Sequence, residues 1–346
     1  MPENKTLVKD ASELTPSAFI LSLPKAELHL HLEGAVEPAT LVELSQRHGG
    51  RLLPADVEAL YRYADFAGFL AAFKTVTDYL RTPEDYELIT YRLMERLKSE
   101  HVVHAEVYIS VGVLQWRGLE VDPIVEGLER GRARGEKDFG VSLLWIFDAV
   151  RHFGPEAAER VLEQAIRHRE RNVVGIGIGG DERRAAPEIF REVYARARAA
   201  GLRRTAHAGE SAGPESVLGA LDALGAERIG HGLNAWHDRE LVERLRRQQV
   251  PLELCPTSNL RTGCCHSLEQ HPLRQYFDAG LLVTLSSDDP AMFQTSLARE
   301  FALAQQAFGF RDDELRTLAR NSFQASFLPE EKRRHYSDLV DAATSK

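Results

Sequence analysis

The chain is poor in cysteine: 346 residues contain three, and two of them, Cys264 and Cys265, are adjacent. An odd count with a vicinal pair excludes a disulfide scaffold and fits a reducing compartment. No apolar run approaches the roughly 18 residues of a membrane span. The opening MPENKTLVKDASELT has no basic segment followed by an apolar one, so no secretory leader is read there and the expected location is the cytoplasm. Basic residues are not in excess either. The 43 Lys and Arg are intermixed with 52 Asp and Glu, giving a formal charge of −9 and no basic face for phosphate backbones, so nucleic acid is not an expected partner. Low-complexity tracts, internal repeats and Pro/Gly/Ser linkers are missing as well.

What is present is a 43% hydrophobic composition, enough for a large core. Eight apolar, β-branched runs recur: 26–31, 104–110, 141–148, 173–178, 202–207, 228–231, 250–255 and 281–286. Amphipathic stretches such as GPEAAERVLEQAIRHRE and PEIFREVYARARAAG separate them, the second ending on a glycine suited to a helix C-terminus. Eight βα units predict an α/β fold, a (β/α)8 TIM barrel, as one domain over 1–346 with a short flexible N-terminus at 1–18 and a helical tail. About 70 residues separate the first two runs where one crossover needs a dozen or more, which predicts a helical insertion over about 35–100. Its aromatic text, LYRYADFAGFLAAFKTVTDYL, reads as one or two helices in which Phe66, Phe69, Phe73 and Tyr79 either pack the core or form an apolar lid over the barrel mouth.

Active sites of such barrels lie at the C-terminal ends of the strands, so polar residues that end apolar runs are the candidates. His29 and His31 end the first run, and strand alternation puts both on one face, where they can share a metal. His207 ends the fifth, His231 the sixth, and Asp288 and Asp289 follow the eighth. Three imidazoles and a carboxylate, His29, His31, His207 and Asp288, would hold a divalent ion and leave a position for water. Zinc is the first expectation, with Fe2+ and Mn2+ chemically acceptable. Hydrolysis also needs proton donors and acceptors, for which Glu210, His231 and Asp289 remain. Taken singly, Glu210 reads equally as a helix N-terminal acid and the Asp pair as a cap before Pro290. Cys264, Cys265 and His266 lack the CxxC spacing of a zinc knuckle and read as a loop.

In order, the segments PKAELHLHLEGA, GGDE, HAGE, ERIGHG, CPTSN and SSDDP resemble the adenosine deaminase family of the amidohydrolase superfamily, over roughly residues 20 to 330. The resemblance implies a single-zinc barrel that removes the amino group of a 6-aminopurine by hydrolysis. It assigns His29, His31, His207 and Asp288 to the metal, Glu210 to protonation of purine N1, and His231 to orienting and deprotonating the zinc water. Asp289 would bond that water and purine N7, and the backbone N–H of Gly180 would meet N3. Cytidine-deaminase chemistry is not expected, since no PCxxC occurs. Two-metal hydrolases of this fold would need a bridging Lys or Glu near the end of the fourth strand, and 173–180 offers neither. A barrel kept only for binding would be expected to lack Glu210 or His231.

The substrate is less sharply drawn. Glu33 stands where adenosine-specific members usually carry the Asp that holds the ribose 5′-hydroxyl, and its extra methylene moves the carboxylate by roughly 1.5 Å. Adenine deaminases resemble the chain at Glu33, but not at 179–182, where GGDE follows the nucleoside pattern. A third branch, the aminodeoxyfutalosine deaminases of menaquinone biosynthesis, resembles it in GPESV, PLELCPTSN, SDDPAMF and QASFL. The expected activity is deamination of adenosine or a 5′-modified adenosine, with aminodeoxyfutalosine or adenine as alternatives. Glu33 and His31, with Gly180 and Asp289, are the expected substrate contacts, and the sequence leaves oligomeric state open.

Overall fold

The computed structural model describes residues 14–63 and 65–343. Eight strands follow one another in sheet order, every neighbouring pair parallel: β1 (Lys25–His31), β2 (Val102–Ile109), β3 (Ser142–Val150), β4 (Val173–Gly179), β5 (Arg203–Ala208), β6 (Arg228–His231), β7 (Leu252–Leu254) and β8 (Val283–Leu285). Each coincides with one of the eight apolar runs, and the ends differ by at most two residues. The sheet closes where Asp288 pairs with β1: His31 N–H donates to Asp288 O at 2.8 Å, and Asp288 N–H donates to His29 O at 3.1 Å. The architecture is the expected (β/α)8 barrel. Its closing seam runs through three of the four residues assigned to the metal.

Two expectations are corrected. The segment 1–18 is not uniformly loose: residues 1–13 lie outside the described residues, but Leu14 is buried and Ser17 caps helix α1 (Ala18–Ser22), its Oγ accepting from Ile20 N–H. The apolar side chains Phe19 and Ile20 on that short helix give it a core to dock on. The insertion is also narrower than 35–100. After β1 come α2 (Pro38–Arg47), α3 (Pro54–Leu60), α4 (Phe66–Asp78) and α5 (Pro83–Ser99). Helix α5 packs on the next barrel helix, Val121–Phe139, and on β2, which is the place of an ordinary crossover helix. The added structure is therefore α2 to α4.

Helix α4 starts at Asp65, whose side chain accepts from Gly68 N–H, and carries the aromatic stripe. Phe69 is buried and stacks on Phe293 with ring centroids 5.0 Å apart, anchoring the helix to the loop after β8. Phe66, Phe69 and Phe73 line the cavity at the barrel mouth, whereas Tyr79 packs on the core behind it. Core and lid are thus two faces of one helix. Among the described residues no helix is long and apolar enough to cross a membrane.

Candidate active site

A cavity of about 410 Å3 opens where β1, β3, β4, β5, β6 and β8 end, with His31, Asp148, Val150, Gly179, Gly180, His207, Glu210, His231, Asp288 and Asp289 in its wall. The strand β1 reaches it through an irregularity between Glu27 and Leu30, the kind of bulge that re-aims side chains beside active sites. His31 Nε2 lies 3.1 Å from His207 Nε2, and Asp288 Oδ1 lies 3.4 Å from both His29 Nε2 and His31 Nε2. Donors at about 2.0–2.1 Å from one tetrahedral ion stand about 3.3 Å from each other. The spacing fits.

Hydrogen bonding behind the donors sets which nitrogen faces inward. His29 Nδ1 donates to Glu253 Oε2 at 2.9 Å and His207 Nδ1 donates to Ile178 O at 3.1 Å, so both Nε2 atoms present lone pairs. His29 Nε2 is buried and has no hydrogen-bond partner. Burial opposes a charge on His29, but Asp288 and Glu253 outweigh it and push the ring up to about 10. The field at that atom favours a cation. Burial and the neighbouring rings hold His207 well below its usual range and His31 down to about 4, so both are neutral ligands. These convergent donors, with His29 Nε2 left without a partner, fit a divalent ion held by His29, His31, His207 and Asp288.

His231 lies close by, and its donor atom, with those of His29, His207 and Asp288, falls within a 4.8 Å group. It stands 3.8 Å from Asp288 Oδ2 and 3.7 Å from Glu210 Oε2, while the His31 donor groups with those of Asp288 and Asp289. Asn259 Nδ2 lies 3.2 Å from its Nδ1 and fixes the orientation of the ring, whose Nε2 faces the carboxylates. His231 and Asp288 both have left-handed backbones, with φ of 62° and 65°. Such conformations in non-glycine residues are uncommon and cluster at functional sites. Ser258 Oγ donates to Asp288 Oδ2 at 2.6 Å and frees Oδ1 for the imidazoles.

The remaining carboxyls are tuned the other way. Burial, then Asp288 and Glu182, push Glu210 well above the usual carboxylate range; burial and Asp288 do the same to Asp289. Both shifts run toward the protonated form, which can donate. Gly180, with φ of 87° and no side chain, leaves its backbone open to a flat ligand. Glu33 departs from the expected sugar contact. It is buried beside the site but absent from the cavity wall, and its Oε1 accepts from Ser110 N–H at 3.0 Å. The longer side chain reaches a backbone donor on the neighbouring strand end.

Several supporting residues escaped the sequence reading. Glu182 accepts from the backbone N–H groups of Gly209, Glu210 and Ala212, and so shapes the HAGE turn. Asp148, near the end of β3, forms part of the wall beside Gly179. Cys264, on the loop read as chemically silent, places its thiol 3.8 Å from Glu210 Oε1, where it can donate. Burial pushes that thiol up to about 12 and keeps it protonated. Glu253, the partner of His29, escaped it too, although a charge in mid-strand in PLELC was an available signal; the others needed the fold.

Barrel, cluster and tuned carboxyls together define a hydrolase of the amidohydrolase type, able to activate water beside a proton donor. The adenosine deaminase family model matches residues 24–343. Relatives include an adenine deaminase of Streptomyces coelicolor, 43% identical over 332 residues and covering 94% of this chain and 97% of its own. An aminodeoxyfutalosine deaminase of the same species is 39% identical over 333 residues, covering 95% and 86%. The crystal structure of an adenine deaminase from Arthrobacter aurescens superposes with a TM-score of 0.89 at 35% identity, covering 92% of this chain and 98% of that one. The chain belongs to the adenosine deaminase family and is a hydrolytic deaminase.

Proposed function

We propose that this protein converts a 6-aminopurine nucleoside, adenosine or an adenosine with an apolar 5′-substituent, to the 6-oxopurine and ammonia, with one zinc ion held by His29, His31, His207 and Asp288. The observation that carries the reading is the convergence of the His/Asp donor cluster with two further buried carboxyls, Glu210 and Asp289, in one cavity wall. A purine offers two ring acceptors, N1 and N7, on either side of the carbon that bears the amine. Glu210 donates to N1 and makes C6 electrophilic; Asp289 donates toward N7 and holds the incoming water. When bound, zinc supplies the Lewis acidity that brings deprotonation of water near neutral pH. His231 accepts the water's proton and passes it on as the amine leaves. The Gly180 N–H takes N3.

The outer wall argues for more than a bare base. Leu70, Phe73, Val113, Trp116 and Phe153 continue the cavity beyond the polar floor, an apolar surface that a free purine leaves uncovered. Turning Glu33 away removes the carboxylate that would hold a free 5′-hydroxyl. Adenine is the second reading, favoured by that same loss of a sugar contact and by the 43% identical relative. The two separate in kcat/KM measured for adenosine, adenine and a 5′-aryl adenosine on zinc-loaded protein. The 5′-aryl compound is expected to be preferred; preference for adenine would overturn the nucleoside reading, and inactivity on all three would overturn the 6-aminopurine itself.

A further inference from the structure

The C-terminal segment QASFL, residues 324–328, contributes nothing to the cavity wall, yet it is wired to one of the donors. Phe327 lies over the Arg228 guanidinium at 3.9 Å, its N–H donates to Glu106 Oε1 at 2.5 Å, and Ala325 O accepts from Arg228 Nη1 at 3.3 Å. Arg228 opens β6, at the barrel end opposite the cavity, and is fully enclosed. Its guanidinium pairs with Glu106 on one side and, through Nε, with Glu253 Oε1 at 2.5 Å on the other. Glu253 then takes the His29 Nδ1 proton through its second oxygen. Behind the ring, Gly230 leaves clearance: a Cβ there would stand 2.6 Å from His29 Cε1.

Two buried carboxylates share one guanidinium; Glu106 also meets His104 Nε2 at 3.3 Å and Glu253 Oε2 also accepts from the Tyr108 hydroxyl at 3.4 Å, and it is through Glu253 that the group touches a metal donor, His29. A ligand's orienting partner fixes both tautomer and ring direction. We propose that Phe327 and Arg228 are positioning residues for the metal site: by holding Glu253 they lock His29 with Nε2 inward, and the C-terminal segment thereby governs how tightly the metal is held. This rests on the ligand set proposed above.

The test is the zinc dissociation constant of metal-stripped protein, read by competition with a chromophoric chelator, with circular dichroism to confirm folding. Glu253→Gln should weaken zinc binding about 10- to 100-fold. Phe327→Leu, which keeps apolar bulk but loses the ring face, should weaken it in the same direction by less, and Phe327→Tyr should restore it. Because Phe327 acts through Glu253, the double variant should be no weaker than Glu253→Gln alone. Wild-type affinity in folded Phe327→Leu, or a double variant whose losses multiply, would overturn the proposal. Should Phe327→Leu not fold, unchanged affinity in Glu253→Gln would overturn it. His207→Ala separates the two layers: if that variant still binds zinc like wild type, the ligand set itself is wrong.

Discussion

Gly34 offers a test of how closely the site tolerates displacement. It sits in the turn after β1, and a methyl group there would stand 1.8 Å from Asp289 Oδ1, where side-chain carbons essentially never come nearer than 3.0 Å. In Gly34→Ala the Asp289 carboxyl must therefore retreat by about 1.2 Å, and its Cβ, 2.4 Å from the added methyl, must move with it, because the other side of the contact is backbone whose carbonyl is tied to Ala291 and Met292 N–H. A misplacement of about 1 Å at reacting groups costs on the order of 10²-fold, equivalent to about 2.7 kcal/mol in the barrier. The expected result is a fall of that order in kcat/KM, carried mostly by kcat, with zinc content near one per chain. Steady-state kinetics on the 5′-aryl nucleoside, with zinc measured on the same sample, reads both. Activity within threefold of wild type in a folded, zinc-loaded variant would refute the role given to Asp289.

Glu210→Gln should keep its zinc and lose about 10² to 10⁴ in turnover, the range of a general acid; wild-type turnover would remove that acid. Glu182→Gln should shift the basic limb of the kcat/KM profile to lower pH. Glu182 helps raise Glu210, the protonated form is the active one below that raised pKa, and activity is lost as pH rises through it, so lowering the pKa brings the loss earlier. An unmoved limb would detach Glu182 from the proton donor. Trp116→Ala should lower kcat/KM for the 5′-aryl nucleoside by about tenfold or more while sparing adenine, as expected for about 1.5–3 kcal/mol of apolar contact; equal effects on both would place Trp116 outside the substrate path.

The eight strands were legible because a fully buried parallel strand has to be written as a short apolar run, and five of those runs end on a residue of the cavity wall: His31, Ser110, Asp148, His207 and His231. His29 and His31 were legible for the same reason, since only alternation puts two imidazoles on one face. The irregularity between Glu27 and Leu30 was not, because a register shift depends on the partner strand. Glu106, Arg228 and Glu253 are separated by more than twenty residues in every pairing and by 122 between Glu106 and Arg228, so no local pattern links them. The aromatic spacing of α4 announced an amphipathic helix but not its destination. Glu33 shows the limit of reasoning from one methylene: its extra reach was expected to disturb a sugar contact, and in the fold it finds the backbone of Ser110 instead.

The most direct test of the account is a paired assay of zinc-loaded wild type and His207→Ala on a 5′-aryl adenosine, measuring ammonia, 6-oxopurine and bound zinc together. The account predicts one ammonia per purine converted by wild type, and loss of both zinc and turnover in the variant. A variant that keeps full zinc and full turnover, or a zinc-loaded wild type that releases no ammonia from any 6-aminopurine, would contradict it.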